Sequence, residues 1–237
     1  MRVLAVDAWP ILAQTIAESF WGDITVTTAA LILAAGNGTR AGGAVPKQFA
    51  YLDGKPLLYY SINSFYNNPL IDEIKVVVKD ETRSLYDECC EGMALSEPCL
   101  GGTTRQQSVR NGLEALAVES APDRVLIHDG ARPFVSAGLI SKVTRALETG
   151  PAAIPALPVT DTLKEAEAGL VVATLERSRY WRAQTPQGFH FEAILAAHRE
   201  FEEEEMTDDA ALAERAGLGV QIVAGDKTNI KVTTRED

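Results

Sequence analysis

Short apolar runs alternate along this chain with stretches whose apolar residues recur every three or four positions. A continuous apolar run is typical of a strand that is buried on both faces, and the wider spacing is typical of a helix with one apolar stripe. Because strands that alternate with helices build a largely parallel sheet covered on both faces, the pattern predicts an α/β fold.

The same periodicity sets the boundaries of the elements. The predicted strands are residues 30–34, 74–78, 125–127 and 152–159. The predicted helices are residues 57–65, 107–117, 139–147, 191–203 and 208–216. Ligands of such sheets bind beyond the carboxyl ends of the strands, so the residues that follow each strand are candidate site residues.

Two segments interrupt this alternation. Residues 1–28 precede the first predicted strand and are assigned as an N-terminal extension of unknown role. Residues 29–237 form one domain, because no internal repeat and no Ser/Gly-rich linker divides them. Within that domain the polar segment 161–179, which contains Gly169, predicts a hairpin arm at about residues 160–180 that is used in dimerisation.

Composition and charge exclude several classes of partner. The formal net charge of −11 disfavours broad binding to nucleic acid or anionic membranes, but it leaves small phosphorylated substrates open. No apolar run is long enough to cross a bilayer, and the start of the chain is a poor signal peptide. The three cysteines fit neither a disulfide framework nor a zinc spacing. These features predict a cytoplasmic protein.

The first predicted strand leads into a glycine-rich loop, residues 36–48 (GNGTRAGGAVPKQ). Its glycines allow backbone N–H groups to approach a phosphate, and Arg40 and Lys47 add cationic donors. The loop also satisfies the loose G-x-G-x-x-A dinucleotide fingerprint. However, the glycines and proline within 42–46 delay the next helix, and no ribose-binding acid follows at the expected spacing. We therefore reject a dehydrogenase.

Two later segments carry further candidates. Residues 101–109 (GGTTRQQSV) lead into a helix with a threonine as N-cap, and a helix N-terminus suits an anion or the edge of a base. Residues 125–133 (VLIHDGARP) place Asp129 just past a buried strand, where its carboxylate is a reasonable Mg²⁺ ligand or a turn former. His128 has no partner at metal spacing and is interpreted as a packed, hydrogen-bonded histidine.

Several motifs occur in a fixed order along the chain. They are A-A-G-x-G-x-R…P-K-Q at 34–48, G-G-x-x-R-x-x-S-V at 101–109, H-D-x-A-R-P at 128–133, P-V-x-D-T-L-K at 158–164, Q-T-P-Q-x-F at 184–189, T-D-D-A at 207–210 and N-I-K-V-T at 229–233. With this set the chain resembles the 2-C-methyl-D-erythritol 4-phosphate cytidylyltransferase family from about residue 29 to residue 237.

The resemblance implies a Rossmann-like nucleotidyltransferase fold with a protruding β-arm. It also implies transfer of CMP from CTP to a small polyol phosphate, with release of pyrophosphate and with Mg²⁺ as cofactor. In this family the acceptor phosphate attacks the α-phosphorus of CTP in line, so catalysis is mainly positioning and charge neutralisation. The implied catalytic residues are Arg40, Lys47 and Lys231, and the implied metal ligand is Asp129.

The same matching implies two sets of binding residues. The CTP-binding residues would be Ala34, Ala35, Gly36, Gly38, Gly102, Arg105, Ser108 and Asp129. The residues that bind methylerythritol phosphate would be Arg132, Thr162, Arg177 and Thr185. In the family the arginine at Arg177 comes from the neighbouring subunit, which implies a homodimer with exchanged arms, and Arg179 is close enough in sequence to take that role instead. Thr160, Asp208 and Asp209 are interpreted as structural or as supports of other site residues, and of the three Asp208 is the candidate for a direct role.

The sequence departs from the family pattern at three places. Thr103 stands where many relatives have an acid, which affects the ribose or base contact. Gly130 replaces a frequent alanine, a change expected to be harmless. The chain ends at Asp237, where relatives usually continue into a last helix. Since some bacteria fuse this enzyme ahead of the cyclodiphosphate synthase, the chain is a candidate for the first half of such a fusion.

Two alternative functions stay open at this point. Ribitol 5-phosphate cytidylyltransferase resembles the first family in fold and cofactor, although residues 181–184 (WRAQ) and the H-D-x-A-R-P form favour methylerythritol phosphate. The other alternative is a non-catalytic nucleotide-binding homologue. The retained cations and Asp129 oppose it, because buried unpaired cations are costly without an anionic ligand.

Overall fold

The computed structural model describes residues 26–36, 45–234 and 237. Its strands are β1 (Thr28–Leu33), β2 (Tyr51–Leu52), β3 (Lys55–Pro56), β4 (Glu73–Val78), β5 (Cys99–Leu100), β6 (Arg124–Asp129), β7 (Ala152–Pro158), β8 (Lys164–Glu167), β9 (Leu170–Thr174), β10 (Trp181–Ala183), β11 (Gln187–His190) and β12 (Val220–Ala224). Its helices are α1 (Leu57–Tyr66), α2 (Arg83–Cys89), α3 (Arg105–Glu119), α4 (Ala137–Ala146), α5 (Phe191–Glu200) and α6 (Asp209–Arg215).

An eight-stranded, mostly parallel sheet forms the centre of the domain. β1 lies between β4 and β6 and is parallel to both, and β5 is parallel to the outer edge of β4. β11 runs antiparallel between β6 and β7, and β10 is antiparallel to the other end of β7. β12 is parallel to β7. This arrangement confirms the predicted α/β fold.

The central strands bury both faces, which is why their sequences are continuously apolar. Ile32 and Leu126 belong to one core together with Phe65 of α1. Leu31 and Ile127, their neighbours along the strands, belong to the second core, which α3 and α5 close. Each fully buried aliphatic side chain contributes about 1.5–3 kcal/mol, so these alternating sets fix the strand register.

The elements that sequence analysis missed have little periodicity of their own. The elements that were not predicted are α2, β2, β3, β5 and β10 to β12. Of these, β2, β3, β5 and β10 have only two or three residues and are too short to show any pattern. The predicted helix 191–203 ends at Glu200, because Phe201 leaves helical geometry with ψ of 35° and a run of glutamates follows. None of the described helices combines the length and apolar character that crossing a membrane requires.

The segment predicted to be an arm is a β-hairpin. β8 and β9 are antiparallel, and they pair with each other alone among the described strands. Ala168 and Gly169 form the turn with φ of 49° and 82°, the pair of positive values that a type I′ hairpin turn requires. Every strand residue of this hairpin except Ala173 is exposed.

Candidate active site

A cleft of about 340 Å³ opens at the carboxyl ends of the parallel strands, and we call it the nucleotide cleft. Leu33 ends β1 and Asp129 ends β6, and these two residues are register partners. The loops after both strands therefore meet at one place. The N-terminal turn of α3 closes the cleft, and the Thr104 side chain caps that helix by accepting from Gln107 N at 3.0 Å.

The nucleotide cleft brings together most of the residues predicted for CTP binding and catalysis. Those that line it are Ala35, Gly36, Lys47, Gly102, Arg105, Ser108, Asp129 and Lys231. Ala34 lies behind them, buried, and donates its N–H to Val77 O. Gly38 and Arg40 fall outside the described residues, so their roles stay predictions.

Gln48 holds the loop that follows β1, a role that the sequence motif did not suggest. Its side-chain amide donates to Ala34 O at 2.6 Å and to Gly36 O at 2.8 Å, and the residue is buried. These carbonyls belong to two of the residues that are predicted to bind CTP. Each carbonyl oxygen has a second lone pair, so Gln48 fixes the loop without using up its acceptor capacity.

The other wall of the nucleotide cleft is packed closely around Gly101 and Gly102. A Cβ at Gly101 would meet the side chains of Ala35 and Ser108. Gly102 N donates to Ser108 Oγ at 3.1 Å. Thr103, which stands in place of a common acid, donates its N–H and its hydroxyl to Gln107 Oε1 at 2.8 and 2.9 Å. Glycine at position 101 therefore allows the segment before α3 to pack closely against the loop after β1.

Asp129 is the charged centre of the site. Its carboxylate lies 2.9 Å from Lys231 Nζ, 3.4 Å from Arg132 Nε and 3.8 Å from Arg105 Nε. Burial acts to raise the pKa of Asp129, but Lys231, Arg105 and Arg132 outweigh it and hold that pKa far below its ordinary range. The carboxylate is therefore ionised at neutral pH, and the cations around it leave a positive field in the cleft.

Arg105 is anchored on its far side by Asp209. Its Nη2 lies 2.8 Å from Asp209 Oδ2, and His198 Nε2 lies 3.2 Å from the other oxygen of the same carboxylate. Burial acts to raise the pKa of Asp209, and Arg105 and His198 lower it overall. Asp208 caps α6 by accepting from Ala211 N at 2.9 Å. The T-D-D-A motif thus positions an arginine of the site.

The chain after β12 brings the two predicted catalytic lysines into one cleft. Lys47 Nζ donates to Val232 O at 2.7 Å, and Val232 N donates to Ala131 O at 2.9 Å. Lys231, the preceding residue, reaches Asp129. The C-terminal segment therefore lies against the loops after β1 and β6, and this joins the N-I-K-V-T motif to the other motifs.

Thr185 lies beneath this surface rather than on it. Its hydroxyl donates to His128 Nδ1 at 3.0 Å and accepts from Asp129 N at 3.2 Å, while His128 Nε2 donates to Arg132 O at 3.1 Å. Burial lowers the pKa of His128 to about 4, so the ring is neutral at pH 7 with one donor and one acceptor. His128 is packed and hydrogen-bonded, and substrate contact by Thr185 stays a prediction.

A second cleft of about 380 Å³ adjoins the first, and we call it the acceptor cleft. Lys231 lines both clefts and so lies at their boundary. Arg132 lines the acceptor cleft, where its Nη1 donates to Asn229 O at 2.9 Å. Arg182 and Lys227 line it as well, and neither was predicted as a site residue, although Arg182 belongs to the segment 181–184 that favours methylerythritol phosphate.

Arg177 and Thr162 lie at the base of the hairpin, and both are exposed. The Arg177 guanidinium donates to Thr160 O. Neither residue lines the nucleotide cleft or the acceptor cleft of its own chain. The predicted delivery of Arg177 or Arg179 from a neighbouring subunit is compatible with this position and stays a prediction.

Asp129 meets the requirements of a magnesium ligand. Magnesium is usually held by one or two carboxylates together with substrate phosphates rather than by a complete protein cage. Among the described residues no group of three or more histidines, cysteines or carboxylates could hold a metal ion. The ionised carboxylate of Asp129, together with substrate phosphates, is thus the donor set that fits Mg²⁺ here.

Comparison with known proteins identifies relatives for nearly all of the described domain. Residues 28–237 match the family model for 2-C-methyl-D-erythritol 4-phosphate cytidylyltransferase, IspD. The bifunctional enzyme IspD/IspF of Paramagnetospirillum magneticum is 48% identical over 210 residues, 89% of this chain and 54% of that protein. That of Rhodospirillum rubrum is 49% identical over 210 residues, 88% of this chain and 54% of that protein. The chain spans about half the length of these curated relatives.

Solved structures show the same fold. The 4-diphosphocytidyl-2C-methyl-D-erythritol synthase of Anaerococcus prevotii superposes with a TM-score of 0.79 at 30% identity, covering 90% of this chain and 92% of that chain. The 2-C-methyl-D-erythritol 4-phosphate cytidylyltransferase of Francisella tularensis gives 0.76 at 32% identity, covering 89% and 96%. The bifunctional IspDF of Campylobacter jejuni gives 0.75 at 27% identity, covering 89% and 53%.

Proposed function

This chain belongs to the 2-C-methyl-D-erythritol 4-phosphate cytidylyltransferase family, and we propose that it transfers CMP from CTP to 2-C-methyl-D-erythritol 4-phosphate. The products are 4-diphosphocytidyl-2-C-methyl-D-erythritol and pyrophosphate. The family is one of nucleotidyltransferases in isoprenoid biosynthesis. The observation that carries the proposal is the ionised Asp129 among Lys231, Arg105 and Arg132 at the strand ends, where the site is open to a triphosphate.

In the proposed reaction an oxygen of the acceptor phosphate forms a bond to the α-phosphorus of CTP. The bond from that phosphorus to the bridging oxygen breaks, and pyrophosphate leaves with the electron pair. Negative charge grows on the α-phosphoryl oxygens and on the leaving group, so fixed cations stabilise the transition state. Lys47 and Lys231 line the nucleotide cleft, and Lys231 also borders the acceptor cleft, where the two substrates must meet.

The cytosine ring is proposed to lie between the loop after β1 and the N-terminal turn of α3. Support comes from the small residues that line the cleft on both sides, Ala35, Gly36 and Gly102, and from the two loop carbonyls that Gln48 holds in place. A carbonyl acceptor favours the amino group of cytosine over the carbonyl oxygen that uracil has there. Such a polar mismatch discriminates more strongly than a difference in shape.

Mg²⁺ is the proposed cofactor, held by Asp129 together with phosphate oxygens of CTP. When bound, the ion neutralises negative charge on the triphosphate. The support is that the Asp129 carboxylate is ionised at neutral pH and lies in the nucleotide cleft, where phosphate oxygens of CTP could complete the coordination. A cytoplasmic location and the assignment of residues 1–28 as an extension are predictions from sequence alone.

A homodimer with exchanged arms is proposed as the working form. The support is the apolar surface of β9, where Leu170, Val171 and Val172 are 73%, 62% and 55% exposed. An isolated two-stranded hairpin is at best marginally stable in water, so this arm needs another surface. A neighbouring subunit would supply that surface and receive Arg177 near its acceptor cleft.

The test is pyrophosphate release with CTP and Mg²⁺, with methylerythritol phosphate and ribitol 5-phosphate compared as acceptors. We expect a strong preference for methylerythritol phosphate. A preference for ribitol 5-phosphate would keep the fold and chemistry but change the acceptor. No release with either acceptor would overturn the proposed catalysis and favour a non-catalytic nucleotide-binding protein.

A further inference from the structure

The acceptor cleft has a charge that contrasts with the rest of the chain. Its lining contains Arg132, Arg182, Lys227 and Lys231 and no carboxylate among the described residues, whereas the whole chain has a formal charge of −11. Arg132 and Lys231 are paired with Asp129. The side chains of Arg182 and Lys227 make no hydrogen bond or ion pair with the residues that the structure describes.

Lys227 projects from a turn whose backbone is held on both sides. Asp226 Oδ1 accepts from Thr228 N at 2.9 Å and from Thr228 Oγ1 at 2.7 Å. The buried side chain of Gln184 accepts from Asp226 N at 3.0 Å and donates to Asp226 O at 2.8 Å and to Asn229 O at 3.1 Å. The backbone that bears Lys227 is therefore ordered before any ligand binds, which lowers the entropic cost of binding.

Arg182 approaches the same cleft from the sheet. It is the middle residue of β10 and pairs with Leu157 of β7, which also lines the cleft. Its planar guanidinium presents a fork of N–H donors that matches two oxygens of a phosphate, and Lys227 adds a compact point charge. The two residues thus place complementary kinds of phosphate donor on a fixed strand and a fixed turn.

We propose that Arg182 and Lys227 bind the phosphate group of the acceptor and so select a phosphorylated polyol. This assignment rests on the proposed function. A phosphate monoester is close to a dianion at neutral pH, and two cations without protein partners in the described structure match that charge. Lys231, at the boundary of the two clefts, then lies between this phosphate and the triphosphate of CTP. Both residues belong to the same chain as the nucleotide cleft.

The experiment compares the wild-type protein with Arg182→Ala, Lys227→Ala and the double variant in the pyrophosphate-release assay. Charge-assisted hydrogen bonds at a partly exposed site predict that each single change raises KM for the acceptor about 5- to 30-fold, with kcat and KM for CTP within about twofold of wild type. Lys227→Arg restores most of the lost affinity. Raising the ionic strength from about 50 to about 500 mM reduces the difference in acceptor KM between the wild type and the alanine variants, because salt screens the charges.

Lys142→Ala is the matched control. Lys142 is exposed on α4 and lines neither cleft. Its charge is nevertheless near the turn that bears Lys227, because it contributes to the lowered pKa of Asp226, which hydrogen bonds from Thr228 mainly set. It should leave KM for the acceptor unchanged. If the wild type is active but both single variants keep its KM for the acceptor, the assignment of Arg182 and Lys227 is wrong and the proposed function still stands. The same conclusion follows if the variants raise KM for CTP and not KM for the acceptor. A wild type that transfers CMP to no polyol phosphate overturns the proposed function together with it.

Discussion

The nucleotide cleft and the hairpin arm differ in whether their side chains find partners within the described chain. In the cleft the polar groups are engaged by the chain itself: Asp129 by three cations, Arg105 by Asp209. In the arm the apolar side chains of Leu170 and Val171 face solvent. The charged groups of the cleft are therefore compensated within the described part of one chain, whereas the apolar side chains of the arm are left uncovered by it.

This difference predicts that mutations in the nucleotide cleft and mutations in the arm change different measured properties. A change in the cleft removes a charge or a hydrogen bond that other buried groups depend on, so it alters chemistry or the stability of the single chain. A change in the arm removes apolar area that is exposed in the single chain, and under the proposed dimer it would alter assembly alone. Effects on chemistry, on stability of the chain and on assembly can be separated by measuring each variant against a control elsewhere in the chain.

The largest effect is expected at Lys231. Lys231→Ala removes a cation at the boundary of the two clefts, and loss of one preorganised transition-state contact lowers kcat about 10²- to 10³-fold. Arg105 and Arg132 still compensate Asp129, so the fold should persist. Lys164→Ala removes the same charge from the arm, where its Nζ donates to Thr174 Oγ1, and should leave kcat unchanged. Equal kcat values for both variants would remove Lys231 from catalysis.

The second effect is a pH dependence of stability that originates beneath the cleft. Burial lowers the pKa of His128 to about 4 from 6.5, so the folded state holds the ring neutral. The associated stability is fully present above about pH 6.5 and is lost as pH falls through about 4, a total of about 3 kcal/mol. Urea unfolding at a series of pH values measures this loss.

His128→Gln keeps a donor for Arg132 O but cannot titrate, and it should flatten that pH dependence. The exposed His190 serves as the control: His190→Gln should retain the wild-type slope. If the slope between about pH 6.5 and 4.5 is the same in His128→Gln as in wild type, another buried group is responsible.

The third effect should appear in assembly and not in the stability of the chain. Val171→Asp places a charge on the apolar face of the arm, and loss of one buried valine predicts a dimer dissociation constant raised about 10- to 100-fold. Unfolding of the isolated chain should change by less than about 0.5 kcal/mol, because Val171 is exposed there. Sedimentation equilibrium measures the constant, with Glu165→Ala on β8 as control. An unchanged constant would exclude the arm as the dimer interface.

The same contrast explains what sequence alone could predict. The position of the site at the strand ends could be predicted from neighbouring residues in the sequence. A buried apolar run followed by Asp129 or by a glycine-rich loop marks the edge of the sheet where ligands bind. The hairpin was also predictable, because polar composition and Gly169 are local features. The short strands β5 and β10 were not, since too few residues carry any period and their neighbours in the sheet decide their conformation.

Contacts between distant segments were equally out of reach. The sequence shows Gln48 only as the last residue of a P-K-Q motif. Its hydrogen bonds to Ala34 O and Gly36 O depend on how the intervening chain folds, which the motif does not indicate. Arg182 and Lys227 meet only because the chain after β12 returns past β10 to the cleft. Arg40 lies outside the described residues, and its predicted catalytic role depends on the family motif alone.

The smallest effect is expected at Gly130, where matching to relatives suggested that alanine is equivalent. A Cβ at this position would lie 2.8 Å from Leu33 O and 2.9 Å from Leu58 Cδ1, while Gly130 N already donates to that same Leu33 O at 3.0 Å. The backbone oxygen cannot move without disturbing β1. Gly130→Ala should therefore destabilise the chain by about 1–2 kcal/mol through overpacking.

Gly138→Ala supplies the control for that substitution, because a Cβ there meets nothing within 4 Å and the residue lies in α4. It should stabilise the chain by up to about 1 kcal/mol through helix propensity. Since Gly130 lines the nucleotide cleft directly after Asp129, Gly130→Ala should also raise KM for CTP, whereas Gly138→Ala should not. Two variants of equal stability would mean that β1 and β6 adjust at their ends, and the cleft would then be less rigid than its hydrogen bonds imply.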